Sequence, residues 1–122
     1  MNVTLGQIRT AIESGALSKL ATEPLPIKQA YWVGRIAEAA ETEYRRIEKH
    51  RIELVKAHGT QTDDQWQVPP EKNEIFQADF ATLLLESVEL PSNGFTLDEL
   101  GDIKLSGLDF LNLAFLIRHD AA

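Results

Sequence analysis

The feature that most constrains the fold is an uninterrupted stretch of helix-forming sequence from Pro26 to His58. Proline is a good first helical residue, and the residues after it include no further proline and a single glycine. Apolar residues recur there at intervals of three and four, which predicts one long helix: Ile27, Ala30, Tyr31, Gly34, Ala37, Tyr44, Ile47, Leu54 and Val55. Such a helix is about 46 Å long, more than the width of a compact domain of this size. One end should therefore project, or pack against a second copy or another partner.

A capping box marks a shorter helix near the start of the chain. Thr4 and Gln7 have the spacing of this motif, which predicts a helix over Leu5–Glu13. A further turn is expected over Ala16–Leu20. The prolines at positions 24 and 26 disfavour helix at the residue before each of them, so this segment is a stiff connector.

The residues after the long helix predict a polar loop, a short strand and a second helix. The loop covers residues 60–65, and a short edge strand or an extended arm is expected at 66–68 because prolines follow it. Pro69 and Pro70 then precede apolar residues at helical spacing, which predict a helix that ends near Glu86.

The last third of the chain predicts short strands and two capped helices. Residues 88–90 and 103–105 alternate like strands, and pairing between them as a hairpin would satisfy both edges. Thr96 caps a single turn, and Ser106 can cap a final helix over 107–118. Because that helix is apolar on all sides, we expect it to be buried on more than one side.

Together these elements predict an α+β fold that is mainly helical. One long central helix packs with shorter helices and with a small sheet of two or three strands. A chain of 122 residues has the size of one domain, so residues 1–122 are expected to form a single domain. Its parts are an amino-terminal helix and connector at 1–25, the long helix at 26–58, and an acidic half of helices and short strands at 66–122.

The two halves of the chain differ in charge. Residues 1–61 carry nine basic and seven acidic side chains, whereas residues 62–122 carry three and twelve, for a net charge of −7. The simplest explanation is that the acidic half packs on the basic helix, and a protein partner is the alternative. A chain this acidic is not expected to bind nucleic acid.

Several classes of protein are disfavoured by composition. With no cysteine, the chain cannot build disulfides, zinc–thiolate sites or a thiol nucleophile. No stretch has the apolar length of a membrane span, and residues 1–19 lack the pattern of a secretory signal. A cytoplasmic location and no membrane contact are therefore expected.

The remaining polar residues predict no catalytic, metal or cofactor site. His50 and His58 are interpreted as solvated helix residues, and His119 as a cation at the carboxyl end of the last helix. Capping and turn formation explain the acidic group that lacks calcium-loop spacing, namely Asp98, Glu99 and Asp102. Phosphate-binding loops, dinucleotide fingerprints and nucleophile motifs do not occur in the sequence.

An aromatic pair on the long helix is a candidate for contact with another protein. Trp32 and Arg35 lie one turn apart, and aromatic and arginine residues dominate the energetics of protein interfaces. The more ordinary interpretation places Tyr31 in the core and Trp32 at its edge.

Two further groups are candidate protein-binding residues. The first is the basic run of the long helix, which is either solvated or docked on an acidic surface; it includes Arg45, Arg46 and Lys49. The second is the apolar final helix, which includes Phe110, Leu113 and Phe115.

The segments of the chain follow one another in a recognisable order. Leu25-Pro26-Ile27-Lys28 leads into the long helix, Val68-Pro69-Pro70-Glu71 leads into an acidic helix, and residues 88–90 and 97–106 follow. This order, which covers nearly the whole chain, resembles a family of small uncharacterised proteins of tailed bacteriophages and prophages. The turn at 91–94 and the apolar tail at 110–117 are richer here than in the family pattern. The resemblance implies a phage setting and brings no catalytic residues with it.

In that setting, the expected function is non-enzymatic protein binding by a virion assembly or accessory factor. An inhibitor of a host defence or regulatory complex is the alternative, and a small ligand- or nucleotide-binding module is a minor one. The expected partner is a phage structural protein or a host complex, and a homo-oligomer is a further option. No cofactor is expected, and the expected location is the host-cell cytoplasm or the virion.

Overall fold

The computed structural model describes residues 1–118 and confirms a mainly helical α+β fold around one long helix. In chain order its elements are β1 (Asn2–Thr4), α1 (Leu5–Glu13), α2 (Ala16–Thr22), α3 (Ile27–His58), β2 (Thr60–Thr62), β3 (Gln65–Gln67), α4 (Pro70–Leu84), β4 (Ser87–Glu89), α5 (Leu97–Leu100), α6 (Gly107–Asn112) and a 3₁₀ turn (Ala114–Leu116). Within this part of the chain, no helix has both the length and the apolar character to cross a bilayer.

The core forms where α1 and α2 pack against the first half of α3. The buried residues of α3 share one face of the helix, and they are Val33, Ile36, Ala40 and Ile47. The fully buried side chains around them come from α1, α2 and the last third of the chain, and include Ile8, Leu20, Leu90, Leu100, Leu113 and Leu116.

The predicted apolar stripe of α3 is only partly right. Ile47 is buried as expected, but Ile27 and Tyr31 are exposed, so the prediction that Tyr31 packs in the core is wrong. The sequence of α3 offers two overlapping sets of apolar residues at helical spacing. Only the positions of α1 and α2 decide which of the two is covered.

Local signals set the beginnings of the shorter helices as predicted. At α1, the Thr4 hydroxyl accepts a hydrogen bond from the Gln7 amide at 3.1 Å, and the Gln7 side chain accepts one from the Thr4 amide at 2.9 Å. The helix then covers the predicted range. The predicted turn at 16–20 is part of α2, which continues to Thr22.

The strands pair differently from the prediction. β4 is antiparallel to β1, with Val88 opposite Val3, whereas residues 103–105 form no strand. The predicted hairpin between 88–90 and 103–105 is therefore wrong. Instead, the Lys104 amide donates to the Glu23 carboxylate at 2.8 Å, which fixes this segment to the end of α2.

A second antiparallel pair replaces the loop predicted at 60–65. β2 and β3 form a hairpin around Asp63 and Asp64, which both have positive φ angles, as in the two-residue turns that match the twist of paired strands. Gly59 connects α3 to this hairpin. A Cβ there would lie 2.3 Å from the Val55 carbonyl oxygen, so the close approach requires glycine.

The predicted helix over 107–118 is also shorter in the structure. α6 ends at Asn112, and the chain then leaves the helix to pair with Phe95. The Phe95 amide donates to the Leu116 carbonyl at 2.7 Å, and the Arg118 amide donates to the Phe95 carbonyl at 2.7 Å. The role predicted for His119 lies outside the described residues.

Candidate protein-binding site

Two capped helices near the end of the chain build the candidate site. Thr96 and Glu99 form a capping box at α5, and Ser106 and Asp109 form one at α6. Each box satisfies backbone amides of the first turn that have no partner within the helix. Helices of four and six residues therefore form where the capping sequence begins them.

The leucines of this region divide between the core and the surface. Leu113 is 1% exposed, whereas Leu108 and Leu111 are 66% and 69% exposed. The two exposed residues are three positions apart and so are neighbours on the surface of α6. In α5, Leu100 is buried while Leu97 is exposed. The prediction of a helix buried on more than one side is therefore wrong for the face that carries Leu108 and Leu111.

Beside Leu111 lies an apolar groove of about 420 Å³. Its lining residues are Leu97, Gly107, Phe110, Leu111, Ala114 and Ile117. A second depression of about 460 Å³ shares Leu111 and Ala114 with this groove and extends to Leu85 and Phe115. We call the two depressions, together with Leu108, the apolar face. Apolar side chains that cluster on a surface in this way are typical of protein-binding sites.

Asp109 holds α6 in place beneath the apolar face. Its two carboxylate oxygens each lie 3.3 Å from the Lys19 ammonium of α2. Burial alone raises the pKa of Asp109, but hydrogen bonds from the Ser106 amide and hydroxyl, together with Lys19, outweigh it and hold that pKa below its usual value. The ionised carboxylate thus fixes α6 against α2, and the opposite face of α6 stays open to solvent.

The predicted apolar contact residues divide between the core and the apolar face. Phe110 and Phe115 are half-buried, and each lines one depression of the apolar face. Leu113 belongs to the core, so its prediction as a contact residue is wrong. The sequence interpretation overlooked the exposed leucines Leu97, Leu108 and Leu111, although the three-residue spacing of the last two, on a helix too short to be surrounded, was a usable signal.

The predicted aromatic pair forms a separate cluster on α3. Trp32 is half-buried and packs against the core, and its ring meets that of Tyr31 edge-on at 5.3 Å. The Arg35 guanidinium lies 5.8 Å from the Trp32 ring centroid, and it donates to the Tyr31 hydroxyl at 3.0 Å. The Arg35 guanidinium thus has its partners within this cluster, in the Tyr31 hydroxyl and the two rings.

The basic run forms its ion pairs within α3 and not with the described residues of the acidic half of the chain. Arg45 pairs with Glu41 at 3.9 Å and Arg46 pairs with Glu43, so both partners lie on α3 itself. Lys49 is exposed and has no ion pair within residues 1–118. The acidic half does pack on α3, through α4, as predicted, but within residues 1–118 it forms no ion pair with this run.

The two halves are joined by other contacts. One is the pair between Lys19 and Asp109, and another is the pair between His58 and Asp79, whose Nε2 and Oδ2 atoms are 2.8 Å apart. His58 therefore connects α3 to α4, which corrects its interpretation as a solvated residue. His50 remains on the surface beside Glu53, at 3.3 Å.

A polar cavity of about 550 Å³ lies beside Trp32, and its charged groups other than Lys28 have partners. Glu99 accepts hydrogen bonds from the Thr96 amide and hydroxyl, and it pairs with Arg118 at 2.8 Å. The Thr96 donors, followed by Gln29 and Arg118, hold the pKa of Glu99 below its usual range, against the effect of burial. In the described part of the chain, no group of three or more His, Asp or Glu residues could hold a metal ion.

The apolar face is thus the strongest candidate for a functional surface among the described residues. The carboxylates with lowered pKa values, Glu99 and Asp109, have capping and pairing roles, while the leucines of the apolar face meet solvent. The chain matches no protein family model, no curated protein and no solved structure. The functional argument therefore depends on the residues and geometry of this chain.

Proposed function

We propose that this chain is a non-enzymatic protein-binding protein whose apolar face docks a segment of another protein. The observation that carries the proposal is the exposure of Leu108 and Leu111 next to an apolar groove. Burying a leucine side chain stabilises a complex by about 1.5–3 kcal/mol. Two such residues with the groove between their neighbours supply enough apolar surface for a specific contact.

The shape and charge of the region indicate the chemistry of the partner segment. A groove beside a short helix suits an amphipathic helix that inserts apolar side chains at three- and four-residue spacing. Residues 86–118 hold six carboxylates and two basic side chains. A partner segment with basic residues beside its apolar ones therefore complements this region best.

The setting that we propose for this binding is a tailed bacteriophage. Its support is the order of segments, from Leu25-Pro26-Ile27-Lys28 to residues 97–106, which resembles small phage proteins. In that setting the chain acts in the host-cell cytoplasm or the virion as an assembly or accessory factor. Its partner there is a phage structural protein.

The experiment uses a paired set of surface variants. Leu108→Asp and Leu111→Asp are combined in one variant, and Ile27→Asp is the control because Ile27 is 91% exposed and lies at the start of α3. Each variant chain is used to capture proteins from infected and uninfected cells. Captured proteins are then purified, and their affinities are measured by calorimetry.

The expected result is a phage structural protein that binds the wild-type and control chains alike. The double variant should bind at least roughly 30-fold more weakly, since residues central to an interface contribute about 2 kcal/mol or more. If the double variant bound the partner with the same affinity as the wild type, the apolar face would not be the binding site. A partner that comes only from the host would favour the alternative of an inhibitor over an assembly factor.

A further inference from the structure

The second half of α3 and the first part of α4 lie beyond the main core, against which the half-buried Leu54 packs. Among the side chains described for residues 48–79, none is buried, and the nearest core residues on either side are Ile47 and Phe80. We call residues 48–79 the outer segment. A helix needs about 1.5 Å per residue, so α3 extends about 16 Å beyond Ile47. The outer segment therefore consists of helices and a hairpin with solvent on several sides.

Apolar side chains remain on the surface of the outer segment. Ile52 on α3 is 47% exposed, Ile75 on α4 is 54% exposed, and Trp66 on β3 is 40% exposed. Each helix thus offers an apolar residue to a partner.

Charged residues frame each of these isoleucines. On α3, residues at intervals of four, three and four form one stripe, which consists of Arg45, Lys49, Ile52 and Lys56. On α4, a second stripe lies on one face and consists of Glu71, Glu74, Ile75 and Ala78. We call them the basic stripe and the acidic stripe. Ile52 lies beside Lys49 and Lys56, with Glu48 paired to Arg51 on its other side. Ile75 lies beside Glu71 and Glu74, with Lys72 as its basic neighbour.

The lysines of the basic stripe and the glutamates of the acidic stripe are available to a partner, whereas Arg45 pairs with Glu41. Lys49 and Lys56 are exposed, and neither has an ion pair within the described residues. Glu71 and Glu74 are also exposed, and neither has an ion pair within residues 1–118. The basic stripe of one molecule and the acidic stripe of another are therefore complementary in charge, with an isoleucine in each.

From this complementarity we propose that the outer segment binds a second copy of this chain. The basic stripe of each copy contacts the acidic stripe of the other, so that Ile52 meets Ile75 twice. A two-fold pair is the smallest assembly that satisfies both stripes in both copies. Because the contact combines exposed charges with a small apolar area, the dimer is weakened by salt.

The test is a charge-reversal experiment on the full chain. One variant carries Lys49→Glu and Lys56→Glu, and a second carries Glu71→Lys and Glu74→Lys. All four positions are exposed on helices, so the folded chain should tolerate these changes. A control variant, Lys28→Glu with Lys104→Glu, makes the same change of charge at exposed positions outside the outer segment.

Mass is measured by light scattering and analytical ultracentrifugation over a range of concentrations and salt. The wild type and the control should dimerise, with a dissociation constant that rises between about 0.05 and about 0.5 M salt. Each charge-reversal variant alone should associate at least about tenfold more weakly, because each then presents like charges to its own copy. An equimolar mixture of the two variants should regain a one-to-one dimer, since their stripes are complementary again.

Other outcomes would overturn the proposal. A wild type that stays monomeric at the highest concentration excludes self-association. Dimers that persist in both charge-reversal variants place the contact elsewhere. Failure of the mixture to associate, with both variants folded by circular dichroism, excludes pairing between the two stripes. Loss of partner capture by the Leu108 and Leu111 variant leaves these results unchanged, because the apolar face lies outside the outer segment.

Discussion

The body of the molecule, residues 1–47 and 80–118, differs from the outer segment in one physical respect. The body surrounds α3 with α1, α2 and the last third of the chain, and all of the identified core residues lie in it. In the outer segment, α3 has α4 and the β2–β3 hairpin beside it, and no described side chain is buried. The same helix therefore crosses from a region with several packed layers into one where only α4 and the β2–β3 hairpin lie beside it.

Because of this difference, we expect the body to determine the stability of the fold and the outer segment to provide surface for association. Stability depends on apolar area removed from water, which the body supplies. The outer segment leaves isoleucines and unpaired charges accessible, so changes there should affect association more than folding. Six substitutions, grouped in four tests, examine that division in order of decreasing main effect.

Leu113→Asp should have the largest effect because Leu113 is fully buried in the body. An unpaired carboxylate in an apolar interior costs several kcal/mol, comparable to the whole stability of a small domain. We expect the variant to be unfolded by circular dichroism and thermal melting. Leu111→Asp, two positions away on the exposed face, should melt close to the wild type. A normal melting temperature for Leu113→Asp would contradict the described core.

Truncation of one isoleucine in each region compares the two regions directly. Ile36→Ala in the body should lower the free energy of unfolding by about 2–5 kcal/mol, because it leaves a cavity. Ile75→Ala in the outer segment should change it by about 0.5 kcal/mol or less at concentrations where the chain is monomeric. Urea unfolding gives both values. Equal losses would show that the outer segment is packed as well as the body.

Asp109→Asn tests the ion pair between the buried Asp109 carboxylate and the exposed Lys19 ammonium. Since folding lowers the pKa of Asp109, the unfolded chain takes up this proton more readily, and the stabilisation is complete only above the unfolded pKa of about 4. It is lost as the pH falls through the folded pKa. Asparagine can keep the cap at Ser106 but cannot pair with Lys19. The variant should be less stable at pH 7 and should lose less stability than the wild type between about pH 5 and about pH 3. Parallel pH profiles would contradict the role of Asp109.

Asp79→Asn should have a small effect, comparable to that of Ile75→Ala, because its partner His58 lies on the outer segment and the Asp79 side chain is half-exposed. Exposed ion pairs contribute about 0–1 kcal/mol. We expect urea unfolding at neutral pH to change within that range. A loss as large as that of Asp109→Asn would mean that the contact between α3 and α4 contributes to the core.

The elements that could be predicted have their causes within a few residues. α1 begins at Thr4 because the cap and its glutamine are three positions apart, and α5 and α6 begin at capping boxes for the same reason. The long helix follows from the helical spacing of its apolar residues and from the absence of proline over residues 27–58. The exposed leucines of α6 could also have been predicted from the sequence, since two leucines three positions apart share a face of a helix.

The errors concern contacts between distant parts of the chain. Nothing near Val88 indicates that its strand partner is Val3, at the other end of the sequence. The end of α6 at Asn112 likewise depends on hydrogen bonds to Phe95, which draw the next residues out of the helix. In the basic run, arginines have glutamates within four positions, and these neighbours form pairs with less loss of chain entropy than a distant acidic surface.

The sequence by itself determined the long helix, the capped helix starts and the difference in charge between the halves, because each depends on residue type and local spacing. The tertiary structure decided which stripe of α3 is buried, that Leu113 is core while Leu111 is surface, and that residues 48–79 have no core. Burial depends on which layers lie beside a residue, and that arrangement arises only when distant segments pack together. The long helix was expected to project or to meet a second copy, and its exposed isoleucines and unpaired charges now define where a second copy is proposed to bind.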